Sequence, residues 1–179
     1  VALGHTRLSI IDISNNGKQP MEFGDLSISY NGEIYNYLEI KRELKDLGHR
    51  FKSQTDTEVI LHSYAEWGEK CVNKFIGMFA FAIYDKKRKQ LFLCRDRAGA
   101  KPLYYYFENN VFLFSSELKT FHCHPSFKKR ININALSEYM DFGFIPSPYS
   151  IFKKCHKLSG GHTLLYELNS KQININQYW

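Results

Sequence analysis

Cysteine is sparse in this chain of 179 residues, and what there is does not cluster. Cys71, Cys94, Cys123 and Cys155 stand 23, 29 and 32 residues apart, so there is no C-x-x-C pair and no zinc-finger spacing. No basic-then-apolar leader is evident, so reduced, cytoplasmic thiols are expected rather than disulfides. Long apolar runs are missing too. The longest, residues 75–84, is ten residues between Lys74 and Asp85, too short to span a bilayer. No G-x-S-x-G elbow, Walker loop or H-E-x-x-H is present, which removes three common self-contained catalytic sets. His122-Cys123-His124 has no second ligand pair, and adjacent residues rarely point to one centre, so no metal is expected. The initiating Met is also absent: the chain opens on Val1-Ala2 and is expected to be a piece of something longer.

What is there is ordinary globular composition, 44% hydrophobic and 23% charged, with an aromatic content of 16% that supplies bulk for a sizeable core. One domain is expected over residues 1–179. The net charge of +6 raises a nucleic-acid reading, but the basic residues fall in short runs. Lys86-Lys87-Arg88-Lys89 lies between two apolar strand-like stretches, and Lys128-Lys129-Arg130 precedes Ile131; both read as solvated surface, with no nucleic-acid partner.

Periodicity gives an α+β order. Leu26-Ser27-Ile28-Ser29-Tyr30 alternates as a strand and runs into a sharp turn at Asn31-Gly32-Glu33. Asn36 opens a helix whose apolar face is Tyr37, Ile40, Leu44 and Leu47, with Glu39 at capping-box spacing. A second helix carries the spacing Thr55 to Glu58, with Asp56 as another possible cap, and ends at Gly68. Two hairpins follow, the first around Lys86–Lys89 and the second around residues 108–110. A short helix is expected over residues 135–142, then an irregular, strand-rich tail from residue 145.

Three polar groups sit at strand ends or helix starts. Arg7, ahead of Leu8-Ser9-Ile10-Ile11, offers a planar fork to a carboxylate or makes a surface ion pair. Asn31-Gly32 offers a side-chain amide and a backbone N–H to an oxyanion, or is an ordinary turn. Asp56 is a helix cap, or holds a ligand ammonium. Together they form a binding kit for an amino acid with a side-chain amide.

At these residues the chain resembles the glutaminase (class II glutamine amidotransferase) domain of asparagine synthetases. The matching words include Gly4 through Asp12, Gln19-Pro20-Met21, Tyr30-Asn31-Gly32-Glu33-Ile34-Tyr35-Asn36, Thr55 through Ile60, Gly77 through Asp85, Arg95 through Tyr105, Ser116 through Lys119, Leu158 through His162 and Tyr178-Trp179. The resemblance implies an N-terminal-nucleophile hydrolase fold, an αββα sandwich of two antiparallel sheets between helix layers. It implies that Arg7, Leu8, Ile10 and Ile11 line a glutamine site, with Arg7 on the carboxylate and Asp56 on the α-ammonium. Asn31 and Gly32 would form the oxyanion hole, with Glu33 beside them. The family's nucleophile is an N-terminal cysteine whose own α-amine is the base; this chain starts at Val1, so the domain is expected to be incomplete at its N-terminus and inactive alone. The family's C-terminal synthetase domain, with its ATP and magnesium, is expected to be a partner outside these residues, where ammonia meets an aspartate activated as an acyl-adenylate. The alternative is a scaffold domain without the cysteine, as in β-lactam synthetase-like relatives.

Overall fold

The computed structural model describes residues 1–6 and 17–179. Among the described residues the main sheet has six strands: β1 (Met21–Phe23), β2 (Leu26–Ile34), β3 (Gly77–Asp85), β4 (Gln90–Arg95), β8 (His162–Glu167) and β9 (Ile173–Gln177), in that spatial order. A second sheet has the order β6 (Val111–Ser115), β5 (Tyr104–Glu108), β7 (Cys155–Lys157). Every pairing is antiparallel. The helices are α1 (Tyr37–Asp46), α2 (Asp56–Trp67) and α3 (Ile133–Phe142).

Strand alternation distributes side chains among three cores. Phe79, Phe81 and Ile83 of β3, with Ile28, Tyr30 and Ile34 of β2 and Phe92 of β4, face α1 and α2. Ala80 and Ala82 of β3, with Leu91, Leu93, Leu164 and Tyr166, face the second sheet, where Tyr105, Phe107, Phe112 and Phe114 meet them. The far side of the second sheet, through Tyr106, packs on Phe121, Phe152 and Cys155. This is an α+β sandwich of two antiparallel sheets, with α1 and α2 on the outer face of the larger.

Several expectations need correction. Asn31-Gly32-Glu33 is not a turn: β2 continues straight through it, paired to Ala80, Phe79 and Met78 of β3. The tail from residue 145 is strand-rich as expected: β7 joins the second sheet, and β8 and β9 complete the main sheet. Asn36 does not cap α1 with its side chain. Its amide instead donates to the Lys74 carbonyl at 2.9 Å and accepts from Ile76 N–H at 3.0 Å, tying α1 to the approach to β3. Leu47 falls at the end of α1 and is exposed, while Lys41 is buried and donates to the Ser53 carbonyl at 2.8 Å. The other elements stand as read: Thr55 accepts from Glu58 N–H at the start of α2, Gly68 ends it, and both hairpins form. The Lys86–Lys89 run is the exposed loop between β3 and β4.

Residues 95–101 make the joint between the layers. The Arg95 guanidinium donates to the carbonyls of Lys101 (2.7 Å), Leu158 (2.6 Å) and Gly99 (2.6 Å). The buried Asp96 carboxylate accepts from the backbone N–H groups of Phe79 (3.2 Å), Ala100 (2.9 Å) and Lys101 (2.9 Å). Its main chain takes the rest: Asp96 N–H donates to Phe79 O, and Gly161 N–H donates to Asp96 O, each at 2.8 Å. A Cβ on Gly160 would come within 2.8 Å of Gly99 N, so the close approach needs glycine. Arg97 lies over the Trp179 ring at 3.8 Å. The charged residues of this stretch thus hold the fold together. Asp96→Ala leaves three amides without their acceptor and is expected to cost at least about 3 kcal/mol; urea denaturation checks it, and Asp96→Asn, which keeps one oxygen, should fall between.

Candidate functional site

Strand β2 has its inner edge on β3. Its outer edge meets β1 only at Leu26, Ser27 and Ile28. Beyond that point the outer N–H groups find side chains: Tyr30 N–H donates to Gln19 Oε1 at 2.7 Å, and Ile34 N–H donates to Asp56 Oδ2 at 3.1 Å. N–H direction alternates along a strand, so Gly32 N–H points the same way, outward. Its β3 partner confirms this, because both backbone groups of Phe79 are engaged with Asp96 instead of Gly32.

Gly32 is required here. Its φ is +143°, and a Cβ would lie 2.2 Å from the Met78 carbonyl oxygen and 2.6 Å from Phe79 Cα. A side chain would force β2 and β3 apart at this pair.

A cavity of about 1020 Å³ opens beside this edge, at the large end of small-molecule sites. Asn31, Gly32, Glu33, Thr55, Asp56 and Thr57 line it, with Gln19, Lys101 and the apolar Ala80, Ala82, Phe112 and Phe114 between the sheets. Four of the eight site residues anticipated from sequence, Asn31, Gly32, Glu33 and Asp56, therefore meet at one cavity. The other four, Arg7, Leu8, Ile10 and Ile11, lie outside the described residues.

Asp56 is the first residue of α2, and Thr55 before it is the cap. The Asp56 side chain is 4% exposed, and its Oδ2 accepts from the Tyr30 hydroxyl at 2.6 Å as well as from Ile34 N–H. Burial pushes its carboxyl above the usual carboxylate range, while the Tyr30 hydrogen bond and nearby backbone N–H groups pull it down. Tyr30 is buried beside this carboxylate, and burial first, then the Asp56 charge, raise its hydroxyl well above the normal tyrosine value, so it stays a donor. Sequence reasoning missed Tyr30. Its alternation marked it as an inward residue, with nothing to indicate a polar partner 26 positions away.

Thiol chemistry is quiet in this molecule. Cys71, Cys94 and Cys155 are buried. Burial lifts the Cys71 and Cys94 thiols, and it pushes Cys155 up to about 11, which disfavours thiolate. Cys123 is exposed on the short 3-10 helix Leu118–Cys123 and does not line the cavity. Among the described residues no group of three His, Cys, Asp or Glu side chains is placed to hold a metal ion, and no helix is long and apolar enough to cross a membrane.

A family model described as a glutamine amidotransferase domain matches residues 1–179. The chain belongs to that family. It is 44% identical over 197 residues to a putative glutamine-hydrolysing asparagine synthetase of Methanocaldococcus jannaschii, covering all of this chain and 38% of that protein. It is also 44% identical over 184 residues to asparagine synthetase 3 of Bacillus subtilis, covering 30% of it. The chain thus spans well under half the length of these curated relatives. Among solved structures, the glutamine phosphoribosylpyrophosphate amidotransferase of B. subtilis superposes with a TM-score of 0.65 at 16% identity, over 98% of this chain and 34% of that one. A glutamine amidotransferase class-II domain protein of Silicibacter pomeroyi gives 0.57 at 12% identity, over 92% and 72%. At such identities the likeness is one of fold.

Gly32→Ala is expected to lower stability by about 3 kcal/mol or more, from backbone strain and the clash with β3. Thermal denaturation measures it against Gly4→Ala, whose Cβ would meet nothing within 4 Å and should change stability by less than about 0.5 kcal/mol.

Proposed function

We propose that this chain is the glutaminase part of an ATP-dependent, glutamine-hydrolysing asparagine synthetase, and that its cavity holds glutamine. The observation that carries the reading is the outward Gly32 N–H, set between Asn31 and Glu33 and facing the same cavity as the buried Asp56.

In this reading Asp56 takes the α-ammonium and Arg7 the α-carboxylate, each by a charge-assisted bond. Leu8, Ile10 and Ile11 line the site, and Glu33 flanks it. The side-chain amide carbonyl then reaches Asn31 and the Gly32 N–H. A backbone N–H on a rigid strand needs no reorganisation as negative charge develops on that oxygen. The nucleophile is an N-terminal cysteine from outside these 179 residues. Its α-amine, with an ordinary pKa of about 7.7–8.0, accepts the thiol proton near neutral pH. The thiolate attacks the amide carbon, the protonated amine returns a proton to the departing ammonia, and water cleaves the thioester to glutamate. None of the four cysteines present has a free α-amine. ATP, magnesium and aspartate belong to a separate synthetase domain of the same cytoplasmic protein, and its acceptor specificity resides there.

Residues 1–179 alone are expected to release no glutamate from glutamine. The same residues joined to the upstream reading frame should release it, with the activity abolished by a thiol reagent. Release by residues 1–179 alone that a thiol reagent abolishes would sink this assignment of the nucleophile. An upstream frame lacking a Met-Cys-Gly start would favour the scaffold reading instead. In the extended, active protein, Asp56→Asn should reduce kcat/KM for glutamine by about 100-fold, the loss expected for a charge-assisted contact made in a buried setting.

A further inference from the structure

The two donors on Asp56 Oδ2 come from the residues flanking the 31–33 segment: Tyr30 through its hydroxyl at 2.6 Å, and Ile34 through its backbone N–H at 3.1 Å. One carboxylate oxygen, on the first turn of α2, therefore clasps both ends of the stretch that carries Asn31 and Gly32. Tyr30 packs in the core between the main sheet and the helices, and both it and its neighbour Asn31 border the cavity. Tyr30 N–H is pinned in turn by Gln19. All of these partners are polar groups with short, specific contacts in a region otherwise packed with Ile28, Ile34, Val59 and Ile60. A phenylalanine would fill the same apolar space, so the hydroxyl serves something other than packing.

We infer that Tyr30 is a positioning residue for glutamine recognition: its hydroxyl orients the Asp56 carboxylate that meets the α-ammonium, and so couples ammonium binding to the placement of Asn31 and Gly32. This rests on the glutamine reading of the cavity. The hydroxyl supplies the side-chain hydrogen bond that opposes the effect of burial on Asp56. Among the described residues, the titratable side chain bonded to this carboxylate is Tyr30 on β2, whose hydroxyl in turn feels the charge of Glu33 on the same strand. Ammonium binding needs the ionised carboxylate, so affinity falls as pH drops through the Asp56 pKa. Losing the Tyr30 hydroxyl moves that fall to higher pH.

The test is a titration of the 179-residue protein with glutamine, and with 4-carbamoylbutanoate, which lacks the α-amine, followed by NMR between pH 5 and 8. Tyr30→Phe is expected to weaken glutamine by about tenfold at neutral pH, the loss of one hydrogen bond to a charged group. It should move the acid limb upward and leave the des-amino analogue unchanged. Equal weakening of both ligands, or none for glutamine, overturns the role of Tyr30. Asp56→Asn separates the two readings. If it binds glutamine as the parent does, or if the parent shows no saturable glutamine binding, the reading of the cavity itself fails. Should Tyr30→Phe not fold, the Tyr30 hydroxyl proton is followed in the parent protein. Glutamine should shift its resonance and the analogue should not, and identical responses to both overturn the proposal.

Discussion

Phe79 has no backbone group left for Gly32, because its N–H goes to the Asp96 carboxylate and its C=O to the Asp96 N–H. That arrangement governs what lies on both sides of it. On the β4 side, Asp96 begins the loop that Arg95 braces through the carbonyls of Gly99, Lys101 and Leu158, joining the main sheet to the lead-in of β5 and to the approach to β8. On the β2 side, it fixes the pairing in which Gly32 and Phe79 face each other without exchanging bonds, the close spacing of an antiparallel ladder. At that pairing the positive φ of Gly32 would aim a Cβ at the Met78 carbonyl, so glycine is necessary at 32, and its N–H lies on the outer side of the strand. A charged side chain buried in a joint thus determines where an uncharged donor on the neighbouring strand points.

The same logic explains why the site lies at a strand edge. An unpaired edge offers backbone donors at no cost in side-chain entropy, but it also has to be satisfied where no ligand reaches. Gln19 and Asp56 take the donors of Tyr30 and Ile34, and the outward N–H between theirs is that of Gly32, beside the cavity. Asp56 completes the edge of β2, and in the proposed function the same side chain presents charge to the cavity. Burial alone would disfavour its ionised form. The Tyr30 hydroxyl and the N-terminal position on α2 act in the opposite direction.

Much of this was legible in the sequence because local signals and burial agreed. Period-two alternation marked β2 and β3, Thr55 and Glu58 marked the start of α2, and Gly68 marked its end. The words around Asn31 and Asp56 led to the family. The turn read at Asn31-Gly32-Glu33 failed because Asn-Gly is a turn signal in a free chain, whereas here a nine-residue pairing with β3 overrides it. Asn36 and Glu39 had capping spacing, yet the amide of Asn36 serves the segment before β3, a contact 38 to 40 positions away. Tyr30 with Asp56, and Arg95 with Leu158, are likewise joined only by tertiary structure. Periodicity carries no trace of such pairs.

Ala80 and Ala82 stand on the inter-sheet face of β3, opposite aromatic rings of the second sheet. Phenylalanines occupy the alternate positions on the other face. Ala80 and Ala82 line the cavity together with Phe112 and Phe114, so a bulkier side chain at either position would take up space there. The size of the space beside the polar groups is therefore governed by two methyl groups on a strand that contributes no charged side chain to it. In the proposed glutamine site, adding carbon there would narrow the range of ligands admitted while leaving the polar contacts in place, so that shape and polar recognition would reside on different strands.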